Sequence, residues 1–230
     1  MNAAPGIAVI DYGMGNLRSV SKALEHVATE ATVAVTSDPK VILAAERVVF
    51  PGQGAARDCM REIDMRGLRD VIIQAAKTKP FLGICMGLQV LFEHSEEGDT
   101  TCLGILKGDV TRFGQTGMRD DRGEKLKVPH MGWNNVFQTG RHPLWRGIEN
   151  GSRFYFVHSY FVQLASSEKA AGFTHYPFAF TCAVASDNIF AVQFHPEKSS
   201  DTGLALLGNF VAWDPFNRIS AGDPARGACV

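Results

Sequence analysis

Short apolar runs alternate with helical patterns through the first half of this chain, and that alternation limits the sheet it can build. Residues 7–10, 33–35, 48–50 and 81–84 read as buried strands. Between them, Asn16 is placed to cap a helix whose apolar positions are Leu17, Val20, Ala23, Leu24 and Val27. Asp38-Pro39 forms an N-cap and N1 pair for a short helix, and 68–77 is helical. Strands separated by helices in this way imply a mostly parallel sheet with helices on both faces, an α/β fold.

The second half is richer in strands, expected at 110–113, 134–137, 154–157, 178–184 and 189–194 as extra antiparallel strands. A polar, glycine-containing loop occupies 115–125. The last helix follows Ser199-Ser200-Asp201, with Leu204, Leu207 and Val211 expected on its inner face. No repeat or linker divides the chain, so one domain over 1–216 is expected, followed by a flexible tail at 217–230.

With 230 residues, 45% of them apolar and 20% charged, the composition is that of a globular protein. A formal net charge of -1 leaves no basic excess for a phosphate backbone, so nucleic acid is not an expected partner. No apolar run is long enough for a membrane span, and the N-terminus shows no cleavable leader pattern, which makes the cytoplasm the expected compartment. The five cysteines are scattered and none forms a CxxC pair, arguing against a disulfide framework or a zinc site. An important cysteine here is therefore expected to be a reduced thiol.

The chemistry centres on residues 80–89, PFLGICMGLQ, where an apolar strand runs into Gly83-Ile84-Cys85-Met86-Gly87 and then a helix. That is the layout of a nucleophile elbow with cysteine in the serine position. Flanking glycines are needed because so sharp a turn leaves no room for side chains beside the nucleophile. A helix N-terminus behind the thiol would favour thiolate. The bland reading is a core cysteine beside incidental glycines. His195, directly after a strand, supplies a base at the same sheet edge, and Glu197 can return its carboxylate to the imidazole. Alone, His195-x-Glu197 is an ordinary surface turn; coupled to an upstream Cys elbow it is specific. Pro51-Gly52-Gln53-Gly54 is either a simple turn or a loop whose N–H groups stabilise an oxyanion. Gly13-x-Gly15 lacks the third glycine of a dinucleotide fingerprint, because position 18 is arginine.

Together PGQG, GICMGLQ and QFHPEKS resemble the class I, or triad, glutamine amidotransferases over about the first 213 residues. The blocks DYGMGNL, PHMGWN, YFVHSY and HPEKS are similar to the branch formed by the glutaminase subunits of imidazole glycerol phosphate synthase, an enzyme of histidine biosynthesis. The resemblance implies a flavodoxin-like fold and hydrolysis of L-glutamine through a Cys85 thioester. His195 would relay the proton, and Glu197 would orient His195. It implies an oxyanion hole from Gly52, Gln53 and Met86, and substrate contacts from Gln89, Ser159 and Tyr160. No metal or organic cofactor is implied. The implied partner is a (β/α)-barrel cyclase subunit that receives the ammonia in a heterodimer, met by Asn16, Trp133 and Lys198. For Trp133 core packing is an equal alternative. His130 and His158 are interface residues, residues that support the site from behind, or satisfied loop histidines.

Three rivals remain open. A glutaminase serving another synthase, such as that of pyridoxal phosphate, would lack the PHMGWN and DYGMGN blocks. A thiol peptidase would gain nothing from a cyclase, and a non-catalytic binding module would have an inert Cys85.

Overall fold

A computed structural model describes residues 5–114, 118–119, 123–124 and 126–216. The expected tail at 217–230 and most of the loop at 115–125 lie outside the described residues. The first half runs β1 (Ile7–Ile10), α1 (Leu17–Val27), β2 (Val33–Thr36), α2 (Pro39–Ala44), β3 (Arg47–Gly52), α3 (Ala56–Met65), α4 (Arg69–Thr78), β4 (Phe81–Cys85) and the single turn α5 (Met86–Gln89). The second half adds β5 (His94–Ser95), β6 (Thr100–Thr101), β7 (Gly108–Arg112), β8 (His130–Asn135), β9 (Phe137–Gln138), β10 (Arg153–His158), β11 (Tyr160–Leu164), β12 (Ala170–His175), β13 (Ala179–Ser186), β14 (Ile189–Val192) and α6 (Ser200–Ala212).

The parallel core has the order β2-β1-β3-β4-β14, the flavodoxin-like arrangement with β14 as its fifth strand. From β14 the sheet continues antiparallel through β13, β11 and β7. β8 and β10 form a separate antiparallel pair. Successive strand residues face opposite sides, so each central strand feeds two cores. Ile7, Val9, Val49, Leu82, Phe190 and Val192 pack with Val20 and Leu24 of α1 and Leu206, Leu207 and Phe210 of α6. Ile10, Val48, Phe50, Phe81 and Ile189 pack instead with Met60 and Ile63 of α3 and Ile72 and Ala75 of α4. Burying one such large side chain contributes about 1.5–3 kcal/mol.

Several elements differ from the sequence expectation. β3 runs on through Pro51 and Gly52 instead of breaking there, because Gly52 stays in register with Cys85 of β4. α3 was not expected. Its buried positions Ala56, Cys59, Met60 and Ile63 keep helical spacing, but charged residues between them mask the pattern. α6 buries Gly203, Leu206, Leu207 and Phe210, a face rotated from the expected Leu204, Leu207 and Val211. Apolar residues surround much of that helix, so periodicity alone could not choose the face. The helix after the elbow is only one turn long, since Leu103 N–H and Ile105 N–H take the carbonyls of Val90 and Leu91. A single turn has little macrodipole, so the sequence argument from a helix N-terminus weakens.

Candidate active site

Cys85 ends β4 with φ 56 and ψ -109, a positive φ that only a strongly constrained non-glycine residue adopts. What imposes it is close packing around the turn. A Cβ on Gly87 would collide with the carbonyl oxygen of Phe50 in β3, and one on Gly83 would come within 2.8 Å of the Gly87 oxygen. The two flanking glycines therefore let β3, β4 and α5 meet without side chains between them, and the thiol is left against a cavity.

His195 follows β14. Its backbone N–H bonds the Tyr155 carbonyl at 2.9 Å, and its own carbonyl accepts from Ser199 Oγ at 2.6 Å. Pro196 then opens a short turn, Pro196–Lys198, that brings Glu197 back to the ring. Glu197 Oε1 lies 2.7 Å from His195 Nδ1, with the two side chains 1% and 3% exposed. The first turn of α6 closes on this loop, where Gly203 approaches the Pro196 carbonyl so tightly that a Cβ would clash.

Cys85 and His195 line one cavity of about 430 Å³ together with Gln53, Met86, Gln89, Ser159 and Tyr160. Burial alone would drive the His195 proton off. The Cys85 sulfur and the Glu197 carboxylate outweigh it and push the imidazole up to about 10. The Cys85 sulfur raises the ring's proton affinity first as a hydrogen-bond partner and then as a neighbouring charge, and Nε2, with no other partner, is left to face it. Gln53 lines the cavity at the end of β3, and Gly52 packs so closely against Tyr12 and Met86 that no larger residue fits.

Glu97, which lines the cavity, and Gln193, buried behind it, were not singled out from the sequence. Glu97, between β5 and β6, accepts from the Ala56 N–H at 2.7 Å, and burial raises its carboxyl. Nothing in the local sequence distinguishes it from other surface acids. Gln193 sits inside the QFHPEKS block but drew no separate notice; it is fully buried and touches both Gln89 and Cys85. His130 and His158 bond each other at 2.9 Å, and His158 lines the cavity. Burial pushes them down to about 4 and about 3 respectively.

The three expected partner-facing residues lie in different settings. Asn16 accepts from Ser19 N–H at 3.3 Å and caps α1. Trp133 is 43% exposed on β8, edge-on to Tyr155, and Met131 on the same strand is 61% exposed. Lys198 is exposed and borders the cavity.

The sequence profile of the family described as Glutamine amidotransferase class-I matches residues 8–213. This chain belongs to that family. Among curated relatives of this amidotransferase, the imidazole glycerol phosphate synthase subunit HisH of Thiobacillus denitrificans is 73% identical, covering 97% of this chain and 98% of the relative. The protein of the same name from Nitrosospira multiformis is 64% identical over 91% of this chain and 98% of its own. Among solved structures, a glutamine amidotransferase superposes with a TM-score of 0.67 at 15% identity, covering 90% of this chain and 100% of that one. Another from Thermotoga maritima gives 0.56 at 16% identity, covering 87% and 80%. At such identities the superpositions speak to fold alone. The thiols of Cys59, Cys85, Cys102 and Cys182 in this amidotransferase are all free and buried.

Proposed function

We propose that this chain is the glutaminase subunit of an imidazole glycerol phosphate synthase. It hydrolyses L-glutamine and passes the ammonia to a (β/α)-barrel cyclase. That partner forms imidazole glycerol phosphate and aminoimidazole carboxamide ribotide in histidine biosynthesis, in the cytoplasm. One observation carries the reading: a cysteine held at positive φ shares its cavity with an imidazole bonded to a buried carboxylate. The names of the relatives direct it to this synthase. Among the described residues no helix is long and apolar enough to cross a membrane.

The steps follow from the charges. Cys85 Sγ attacks the side-chain amide carbon of glutamine, and negative charge gathers on the amide oxygen. Backbone N–H groups of the Gly52–Gln53 segment and of Met86 are the donors available there. His195, which holds its proton because sulfur and Glu197 favour it, gives that proton to the departing nitrogen, and the C–N bond breaks to release ammonia. The sulfur is now a neutral thioester, so one source of the raised proton affinity is gone and the imidazole becomes a base for water. Water cleaves the thioester to glutamate and returns the proton to the pair. Glu197 fixes the tautomer throughout.

The amino-acid end of glutamine needs an acceptor for its ammonium group, and Glu97, Gln89 and the Ser159–Tyr160 segment supply polar groups around the same cavity. Toward the partner, Met131 and Trp133 offer an exposed apolar face on β8, and Tyr155 beneath Trp133 bonds the triad loop directly. The test is glutamate release measured with and without the cyclase and its ribotide. Release that needs glutamine and rises with the loaded cyclase is expected; peptide or ester cleavage indifferent to the cyclase overturns the reading.

A further inference from the structure

Gln193 lies two residues before His195, wholly buried, and none of the steps above uses it. An enclosed primary amide must find partners for its N–H groups and its carbonyl. Gln193 Oε1 accepts from Gln89 Nε2 at 2.9 Å, and Gln193 Nε2 lies 3.8 Å from Cys85 Sγ, within reach of a hydrogen bond to sulfur. One backbone group decides which way both amides face. The Tyr160 carbonyl can only accept, so Gln89 must turn its NH2 toward it, at 3.2 Å. The same nitrogen donates to Gln193. Gln193 therefore shows oxygen to Gln89 and keeps its NH2 for the sulfur. Gln89 Oε1 is left buried without a partner, on a residue that lines the cavity.

We propose that Gln193 is a catalytic residue whose amide N–H stabilises the Cys85 thiolate and whose carbonyl, through Gln89, ties the nucleophile to the part of the cavity that receives the substrate. This rests on the glutaminase reading and adds to it. A thiolate accepts a hydrogen bond far better than a thiol, so a donor fixed in place favours the ionised, attacking form. α5, a single turn, supplies little of this through its dipole, and Gln193 offers a donor from just beyond the end of β14. Once the thioester forms, the sulfur loses its charge and the bond weakens, so the help goes to the attacking state.

The experiment uses Gln193→Met, which keeps the length and removes both polar ends. Three quantities are measured beside the wild type: the thermal melt, the rate at which iodoacetamide alkylates Cys85 across pH, and cyclase-stimulated glutamate release against glutamine concentration. Alkylation at about pH 7 is expected to slow about tenfold, with the rate profile displaced to higher pH, while kcat falls more than KM rises. A packing role alone would shift the melt and leave the alkylation profile in place, and that result overturns the proposal. Should Gln193→Met fail to fold, Gln89→Met tests the same link, because freeing the Gln193 carbonyl unlocks its amide. A severalfold slower alkylation is then expected, and an unchanged profile overturns it. Alkylation needs no glutamine, so the two readings fail separately. Slowed alkylation in an enzyme that releases no glutamate with the cyclase would sink the glutaminase reading and keep the Gln193 contact.

Discussion

Two buried histidine sites in this molecule differ in charge, one cationic and one neutral near pH 7. His195, on the triad loop, is pushed up to about 10, whereas His130 and His158, on the β8–β10 pair, are pushed down to about 4 and about 3. Burial acts on all three in the same direction, against the imidazolium. Only His195 faces a carboxylate and a sulfur; His130 and His158 face each other, the Asn134 amide, a backbone carbonyl and aromatic rings, and the His195 charge further disfavours a proton on His158. Burial of a histidine thus says nothing of its role until its neighbours are named. One site holds its proton, and the other stays neutral and joins two strands.

The largest test of this contrast removes the sulfur. Cys85→Ala is expected to lower glutamine-dependent turnover by at least roughly 10⁴-fold, while the cyclase complex still makes product from ammonium salts at alkaline pH. Glutamate release by that variant near the wild-type rate would remove Cys85 from the mechanism. Next comes the carboxylate. Glu197→Gln keeps the shape but withdraws the charge, and kcat is expected to fall about 10²–10³-fold, with the His195 resonance titrating at lower pH by NMR.

Stability against pH separates the sites by sign. His195 binds its proton more tightly folded than unfolded, where its pKa is about 6.5. Its contribution is therefore whole below about pH 6.5 and is lost as pH rises toward about 10. His130 and His158 do the reverse: their contribution is whole above about pH 6.5 and is lost as pH falls toward about 4 and about 3. Urea midpoints measured from acid to neutral pH should fall on the acid side in the wild type and fall less steeply in His158→Gln. An equal slope in both would mean that the pair is not buried neutral. The smallest effect is expected at Lys198, exposed beside both regions. Lys198→Ala should weaken the cyclase complex about fivefold and leave Cys85 alkylation nearly unchanged, as titration calorimetry and peptide mapping would read. Unaltered affinity would place Lys198 outside the interface.

The parallel half and its reactive residues were legible because the physics there is local. Strands covered on both faces are continuous apolar runs, so β1, β3, β4 and β14 stand out, and Cys85 and His195 fall where such runs end. The glycines beside Cys85 mark a turn that only glycine allows. Strands β11 and β12 were missed because they lie in the more exposed antiparallel half, where the apolar signal is diluted. α3 was spelled out in the residues but hidden by its charged outer face.

What the chain by itself determined was the α/β class, the elbow, and the residue types of a Cys–His–Glu set. The tertiary structure alone decided that Glu97, carried on the short β5–β6 connection, lines the cavity with Cys85. It alone turned the amides of Gln89 and Gln193 in one direction, and set the charge of each buried histidine. The reason is common to all of these. A proton or an amide is oriented by whatever stands within about 4 Å, and in this molecule those neighbours come from strands far apart in sequence.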